Sequence, residues 1–333
     1  MMNYLCRLLK YQRRYMLSAK LRVFATLYSL QSKSYDLDLP IHIQSQLFDT
    51  LISPILLYGA EIWGFEDTSI MEQFHTKFCK KMLGLHRYTP NAMTYAESGR
   101  SPLSLQIQCR MLNYWLKVAS GKEQKLSHCL YSLKRRLYNE NHEDMPWLNK
   151  VKTCLDRLGL TNLWDTDPCT INKEWFKRKV HRTLLDIENQ NIMSQVNNSQ
   201  QCTIYKIFKT TPTIDFPITF LQSRHVKTLI RFRCVNHKLP IVQGRYDNIP
   251  REDRVCQSCL GLENNLKVVG DEYHYVMQCP QFQSDRDKYI GAKYSRNPNT
   301  AKFKKLFQSK SQSTLVSLSK FCKVIMTHFS SEK

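Results

Sequence analysis

Three cysteines and one histidine late in the sequence have the spacing of a metal site. A Cys-x2-Cys pair is followed by a His-x4-Cys pair, at Cys256, Cys259, His274 and Cys279. Zinc binds four sulfur or nitrogen ligands in a tetrahedron, and a Cys-x2-Cys turn can hold one ion. Because protein atoms fill all four positions, no place is left for an activated water. The pattern predicts a structural Zn2+ that folds a segment too short for its own core.

Other interpretations of these residues stay open. The chain has 12 cysteines, so a Cys-x-x-Cys pair can arise by chance, but a correctly spaced His and Cys downstream favour a site. The remaining cysteines lack regular spacing and are expected in the core. Asp271 and Glu272, beside His274, are expected to orient the zinc ligand or to cap a turn. A less favoured hypothesis makes them catalytic carboxylates of an intact enzyme.

The charge balance indicates a polyanionic partner. There are 49 Lys and Arg residues against 28 Asp and Glu, a formal net charge of +21. Nucleic acid, RNA or DNA, is the first candidate, and an anionic membrane surface is the alternative. The longest apolar segment, ISPILLYGAEIWGF, contains Pro54, Gly59, Glu61 and Gly64, so no membrane span is predicted. Arg and Lys are scattered through MMNYLCRLLKYQRRYMLSAK, where a secretory leader would need an unbroken apolar stretch, so no leader is expected. We therefore expect an intracellular protein, nuclear or cytoplasmic, with reduced thiols.

The candidate contacts with nucleic acid lie just before the cysteine cluster. The segment RHVKTLIRFRCVNHKL predicts one helix with a cationic stripe on one face and apolar residues on the other, and Arg233 is expected to pair internally. An arginine and a tyrosine in the following predicted loop could contact a phosphate and stack on a base. An ordinary solvated helix face and a packed turn are the competing interpretations. The predicted nucleic-acid-binding residues are Arg224, Lys227, Arg231, Lys238, Arg245 and Tyr246.

Proline, glycine and capping residues predict mostly helix. A basic amphipathic helix is expected at 1–35, and a capping box at Ser69 and Glu72 opens a helix that Gly84 closes. Pro90 and Pro102 are expected to open two more helices. Along the chain we predict a mostly α fold in four parts: a helical unit, an irregular helical connector, a basic helix with a small structural zinc module, and a basic helical tail. Their bounds are 1–121, 122–202, 203–290 and 291–333.

Several segments, taken in order, resemble the region after the polymerase domain in reverse transcriptases of non-LTR (LINE-like) retrotransposons. The helical unit at 1–121 is thumb-like, because two of its segments are similar to the thumb region of that family: LPIHIQSQLFDTLISPILLYGAEIWGF and KFCKKMLGLHRYTPNAMTYAESGRSPL. The family's C-terminal zinc-binding segment is similar to LIRFRCVNHKLPIVQGRY and to the stretch from REDRVCQSC through GDEYHYVMQCPQF. In this resemblance Cys256, Cys259, His274 and Cys279 stand at the ligand positions. The resemblance covers residues 1–120 and 203–290.

The resemblance implies a post-catalytic fragment. The family's palm domain uses a paired Asp-Asp to hold two metal ions, and this chain contains no Asp-Asp pair. No catalytic residue is therefore assigned, and no polymerase activity is expected from this chain alone. The expected role is to position template RNA or target DNA beside the remainder of a reverse transcriptase. The alternative function is a zinc-stabilised protein-interaction module that docks an acidic partner.

Overall fold

A computed structural model describes residues 25–34, 36–65, 68–140, 145–214, 221–261 and 267–331. Within these ranges the protein is mostly helical, which confirms the predicted fold class. The described residues form no strand, and Val255 and Val269 make an isolated antiparallel bridge. The predicted helix at 1–35 lies outside the described residues as far as residue 24, while residues 25–34 are helical (α1). None of the described helices has the length and apolar character needed to cross a membrane.

The chain forms two compact units that interlace in sequence. Within the part of the chain that the structure describes, unit 1 falls in the ranges 1–28, 48–75 and 101–191, and unit 2 in the ranges 29–47, 76–100 and 192–333. Each unit therefore joins segments that are far apart in the chain. The predicted four-part division follows the chain linearly, and it stays a prediction.

The helices of unit 1 are mostly long and are joined by short connections. They are α3 (Ser53–Leu56), α4 (Ala60–Trp63), the first half of α5 (Ser69–Met82), α7 (Leu103–Ala119), α8 (Leu126–Asn139), α9 (Pro146–Arg157) and most of α10 (Lys173–Asn198). A π-helical turn covers Phe48–Ile52, and 3-10 turns cover Thr161–Trp164 and Pro168–Thr170.

The core of unit 1 surrounds α7. Helices α4, α8 and α9 all pack against it. The indole of Trp115 is fully buried and stacks on Trp164 at 6.1 Å between ring centroids, with Phe176 at 5.9 Å. The Arg135 guanidinium lies 3.9 Å above the Trp164 ring and so attaches α8 to this core.

Unit 2 contains the segments in which the sequence predicted a metal site and contacts with nucleic acid. Its helices are α2 (Ile41–Leu47), the second half of α5, α6 (Asn91–Ser98), α11 (Tyr205–Phe208), α12 (Ser223–Arg233), α13 (Pro240–Tyr246), α14 (Gln257–Leu260), α15 (Glu272–Met277), α16 (Gln283–Tyr289), α17 (Ala292–Ser295), α18 (Thr300–Phe307) and α19 (Gln312–Ser331). 3-10 turns cover Gln200–Cys202, Arg251–Asp253 and Pro280–Phe282.

The basic tail is part of the core of unit 2. Helix α19 packs along α12, and α18 packs against α11, α15 and α19. Phe303 is fully buried, with its ring 5.0 Å from that of Phe208 and 5.1 Å from that of Phe307. The tail is helical, as the sequence predicted, and its lysines do not keep it in solvent. The apolar residues of α18 and α19 repeat at helical intervals, and this signal outweighs the charge of the segment.

Glycines end two of the helices, and Gly84 does so as predicted. Gly84 (φ +70°) follows α5, and the Leu85 N–H donates to the Lys80 carbonyl at 2.7 Å, which closes the last turn. Gly99 (φ +63°) ends α6. Helix α5 begins at Ser69, where the capping pattern placed its start, and the Glu72 carboxylate accepts from the Leu103 N–H at 2.8 Å and so caps α7.

The predicted helix through RHVKTLIRFRCVNHKL is shorter than expected. Helix α12 ends at Arg233, because Val235 adopts a left-handed conformation (φ +58°). The Asn236 N–H then donates to the Arg231 carbonyl at 2.9 Å, and the Val235 N–H to the Phe232 carbonyl at 3.3 Å. These two bonds form a Schellman motif. Because the motif usually has a glycine at this position and Val235 stands here, the sequence pattern did not predict it.

Candidate metal centre and nucleic-acid interface

The four predicted zinc ligands converge on one buried point in unit 2. Their ligand atoms all lie within 4.8 Å of one another, and all four residues are buried. The Sγ atoms of Cys256 and Cys279 are 3.8 Å apart, and the Cys259 Sγ is 3.3 Å from Nε2 of His274. A tetrahedral ion with metal–sulfur bonds of about 2.3 Å requires sulfur–sulfur edges of about 3.8 Å. The cluster therefore has the composition and the size to hold a metal ion.

A tight turn positions the first two ligands. Cys256 immediately precedes α14, and its N–H donates to the Val268 carbonyl at 2.8 Å. The bridge between Val255 and Val269 holds this strand-like approach in place. The Cys259 N–H donates to the Cys256 carbonyl at 3.2 Å, which folds the x2 spacer so that both sulfurs point the same way.

The second pair is positioned by α15 and its end. His274 lies on α15, and the Cys279 N–H donates to the His274 carbonyl at 2.8 Å. Tyr275 is buried next to it, and its hydroxyl leaves no room for a side chain at Gly270. A Cβ added to Gly270 would lie 2.8 Å from the Tyr275 Oη. Gly270 is therefore required by close packing.

The two acidic neighbours of His274 have structural contacts. The Asp271 carboxylate accepts from the backbone N–H of His274 at 2.9 Å and caps α15. The Glu272 carboxylate lies 3.0 Å from Nε2 of His237 and so ties the chain before α13 to α15. The expectation that one of them caps a turn is met by Asp271, whereas His274 Nδ1 has neither as a partner.

Arg286 supports the cluster, a role that the sequence did not predict. It is 2% exposed, and its guanidinium donates to the carbonyls of Val276 at 2.9 Å and Cys279 at 2.8 Å. Burial lowers the pKa of Arg286, and the neighbouring Cys279 opposes that effect. Three thiolates around a divalent ion leave one net negative charge, and a buried guanidinium balances it. Only its position in DRDKY, seven residues after the last ligand, could have drawn attention to it.

The thiols of the cluster share protons. A hydrogen bond from Cys279 lowers the pKa of the Cys256 thiol to about 3, and the same bond raises the pKa of Cys279. Burial raises the pKa of Cys259. One sulfur of the group is thus readily available as a thiolate, which is the form that binds metal.

Two adjoining pockets beside α12 form a surface that we call the basic trough. The first, about 480 Å³, lies between α12 and α19. The second, about 520 Å³, lies between the end of α12, the start of α13 and the turn at residues 86–90. Arg231, Met326 and Ser330 line both pockets, so the two are continuous. The cationic side chains of the trough are Arg224, Arg231, Lys238, Arg245, Lys320 and Lys323.

The trough brings together most of the predicted nucleic-acid-binding residues. Arg224 lines the first pocket, Arg231 lines both, and Lys238 lies in the second although it is beyond the end of α12. Arg245 and Tyr246 also line the second pocket. They belong to α13, so the expected loop around them is wrong. Position 244 of this helix is occupied by glycine because the Arg254 side chain crosses it and would lie 2.6 Å from a Cβ.

Lys227 lies apart from the trough. Its aliphatic stem packs about 3.5 Å from the position a Cβ on Gly84 would take. The trough instead includes Lys320 and Lys323, which sequence reasoning assigned only to the tail. Their three-residue spacing on one face of a helix, opposite an apolar face, was the available signal.

His225 is the titratable group at the floor of the first pocket. The Ser319 hydroxyl donates to the Val316 carbonyl, so Nδ1 of His225 donates to the Ser319 oxygen at 2.5 Å. Desolvation lowers the pKa of His225, and the positive charges of Arg224, Lys320 and Lys323 lower it further. The imidazole is therefore mainly neutral at pH 7. Protonation of His225 on acidification would add a positive charge to the trough.

Comparison with known proteins gives no family assignment. The chain matches no family model, no curated protein and no solved structure.

Proposed function

We propose that this protein binds nucleic acid through the basic trough and that a Zn2+ ion in the Cys3His cluster stabilises the fold around it. We further propose, from the resemblance of its segments, that the chain is the post-polymerase C-terminal region of a non-LTR retrotransposon reverse transcriptase. Its role there is to hold template RNA or target DNA in place. The chemistry of polymerisation belongs to a palm domain.

The convergence of six cations on one surface is the observation that carries the proposal. Arg224, Arg231 and Lys238 come from one segment, and Lys320 and Lys323 come from a helix about ninety residues later. Among the described residues that line the trough, none is acidic. Placing like charges together is unfavourable unless a polyanion neutralises them, and a phosphate backbone offers regularly spaced charges to do so.

The donor set supports zinc as the metal. Three thiolates and one imidazole are soft and intermediate ligands, which favour Zn2+ over Mg2+ or Ca2+. The cluster lies in the segment that follows α13, and the His237–Glu272 contact links it to the second pocket of the trough. A metal that fixes α15 therefore also fixes one wall of the trough.

Salt dependence of binding tests the proposal. Fluorescence anisotropy with a labelled duplex DNA and a labelled single-stranded RNA would be measured over a range of KCl concentrations. Each neutralised phosphate contributes about −0.9 (duplex) or about −0.7 (single strand) to the slope of log K against log salt. We expect the triple variant Arg224→Gln, Lys320→Gln, Lys323→Gln to flatten the slope by roughly 2 units on the single strand and roughly 3 units on the duplex.

A matched variant controls for net charge. Lys150→Gln, Lys179→Gln and Arg182→Gln remove the same charge from exposed positions of unit 1. This variant should keep nearly the parental slope. Absence of low-salt binding by the parent protein, or equal flattening by both variants, would refute the role of the trough.

A further inference from the structure

Two exposed tyrosines face the second pocket of the basic trough. Tyr88 is 68% exposed and Tyr246 is 65% exposed, and they lie on segments separated by more than 150 residues. Large aromatic rings are normally buried at least in part, so two exposed rings beside one cavity are a specific feature of this surface. Tyr88 was not among the residues predicted to contact nucleic acid.

Each ring is held by an adjacent arginine. The Arg87 guanidinium lies 4.6 Å from the Tyr88 ring centroid and donates to the Tyr88 hydroxyl at 2.6 Å. The His86 ring lies 5.2 Å from the same centroid. The Arg245 guanidinium lies 5.7 Å from the Tyr246 ring. Because a cation covers at most one face of each ring and the rings remain mostly exposed, both present an aromatic surface to a ligand.

The other residues of the pocket fit the edges of a nucleobase. Gln201, Asn236 and Gln243 supply amide donors and acceptors, and Arg231 and Lys238 supply charge for the attached phosphates. The volume of about 520 Å³ lies within the range of roughly 300–1,000 Å³ that is usual for small-ligand sites. A base with its sugar and phosphate therefore fits both the size and the chemistry of the cavity.

Base pairing decides which nucleic acid can use such a pocket. Within a duplex the faces of the bases are stacked on one another, and only their edges reach the grooves. A base can lie against a tyrosine face only if it is unpaired and unstacked. The first pocket continues from the second through Arg231, so the phosphates that flank an inserted base would run towards Lys320 and Lys323.

We propose that the second pocket of the basic trough, with Tyr88 and Tyr246 as stacking surfaces, binds an unpaired base and makes the protein selective for single-stranded nucleic acid. This inference rests on the proposed function and adds the form of its ligand. The cations supply affinity for any polyanion, and the two tyrosines supply the discrimination between single strand and duplex.

The test compares two double variants of the full chain. Tyr88→Ala with Tyr246→Ala removes the rings, and Tyr88→Phe with Tyr246→Phe keeps them without the hydroxyls. The probes are a labelled single-stranded RNA, a single-stranded DNA of the same sequence, and a blunt DNA duplex, all at one fixed KCl concentration. Both tyrosines are exposed, so unfolding is not expected, and thermal melting would verify that each variant is folded.

Stacking is worth about 1–3 kcal/mol per base on alanine substitution, a factor of roughly 5 to 150 in affinity. We expect at least a five-fold loss of single-strand affinity in the alanine variant, little change in the phenylalanine variant, and unchanged duplex affinity in both. An equal loss on duplex and single strands, or no loss at all, would overturn the inference. In either case measurable salt-dependent binding would leave the proposed function standing, whereas no binding of any probe by the parent protein would end both.

Discussion

Arg233 and Glu97 form a buried ion pair, with Nη2 of the arginine 3.0 Å from Oε1 of the glutamate and both side chains at most 1% exposed. The pair joins α12 to α6 inside unit 2. Residues two apart on an α-helix point about 200° away from each other. Anchoring Arg233 inward therefore directs Arg231 outward, where it connects the two pockets of the trough. The expectation from the sequence that Arg233 pairs internally is confirmed.

Breaking this pair should destabilise the protein strongly. Glu97→Leu leaves a buried guanidinium without its counter-charge, at an expected cost of about 3–5 kcal/mol in the free energy of unfolding. The double variant Glu97→Leu, Arg233→Met removes both charges and should recover most of that loss. Urea denaturation measures both. Equal destabilisation by the single and double variants would show that shape, rather than charge, governs this contact.

Metal removal should unfold the region around α14 and α15. We expect purified protein to contain one equivalent of zinc, measured by elemental analysis, and a strong chelator to lower its melting temperature. Cys256→Ser should lose the metal and melt at the chelated temperature. Cys129→Ser changes an exposed thiol outside the cluster and serves as the control. If Cys256→Ser retained both the metal and the parental melting temperature, the assignment of the cluster would be wrong.

The hydrogen bonds of Arg286 should be difficult to replace. Arg286→Met leaves several buried carbonyl groups without a donor, each at a cost of about 1–3 kcal/mol. Arg286→Lys keeps the charge but offers a single compact ammonium, so it should recover only part of the loss. The unfolding free energy and the zinc content would be measured together. The exposed Lys288→Met is a nearby control, and parental stability of Arg286→Met would contradict the supporting role.

Binding of nucleic acid should strengthen as the pH falls. The pKa of His225 lies below its usual value in the free protein because of desolvation and the charges of Arg224, Lys320 and Lys323. A bound phosphate would offset those charges and raise this pKa, so binding takes up a proton. Affinity should therefore increase between pH 7 and pH 5 or so. His225→Gln should weaken this increase, and an unchanged pH profile in that variant would contradict it.

The same shift has a defined sign for stability. A folded-state pKa below the unfolded value means that the unfolded chain binds more protons. The contribution of His225 to stability is therefore complete above its unfolded pKa near 6.5. It decreases as the pH falls from that value through the lower folded-state pKa.

Three leucines on α8 should be replaceable without loss of stability. Leu126, Leu130 and Leu133 are 73%, 49% and 45% exposed, and α8 has no buried residue. They point away from Tyr131 and Arg135, which face the core of unit 1. Changing all three to Gln should alter the unfolding free energy by less than about 1 kcal/mol and should raise solubility. Marked destabilisation in urea would show that this face is covered.

Local signals in the sequence predicted the helices and the metal ligands. Gly84 and Gly99 end α5 and α6 because glycine adopts their positive φ values without steric cost. The ligand spacing of the cysteine cluster is also local, since the members of each pair lie only three or five residues apart. Local patterns do not predict the conformation of Val235. Its left-handed backbone is unfavourable for a β-branched residue and is imposed by the surrounding packing.

The sequence by itself determined the mostly helical fold, the spacing of the Cys3His cluster and the strongly positive charge, because these depend on periodicity, short spacing and composition. The tertiary structure decided which of those charges meet. It buried the basic tail through Phe303, brought Lys320 and Lys323 beside α12, and placed Tyr88 and Tyr246 at one cavity. Such meetings arise from packing between helices distant in the chain, and the free energy of that packing depends on complementary shapes that a linear pattern does not contain.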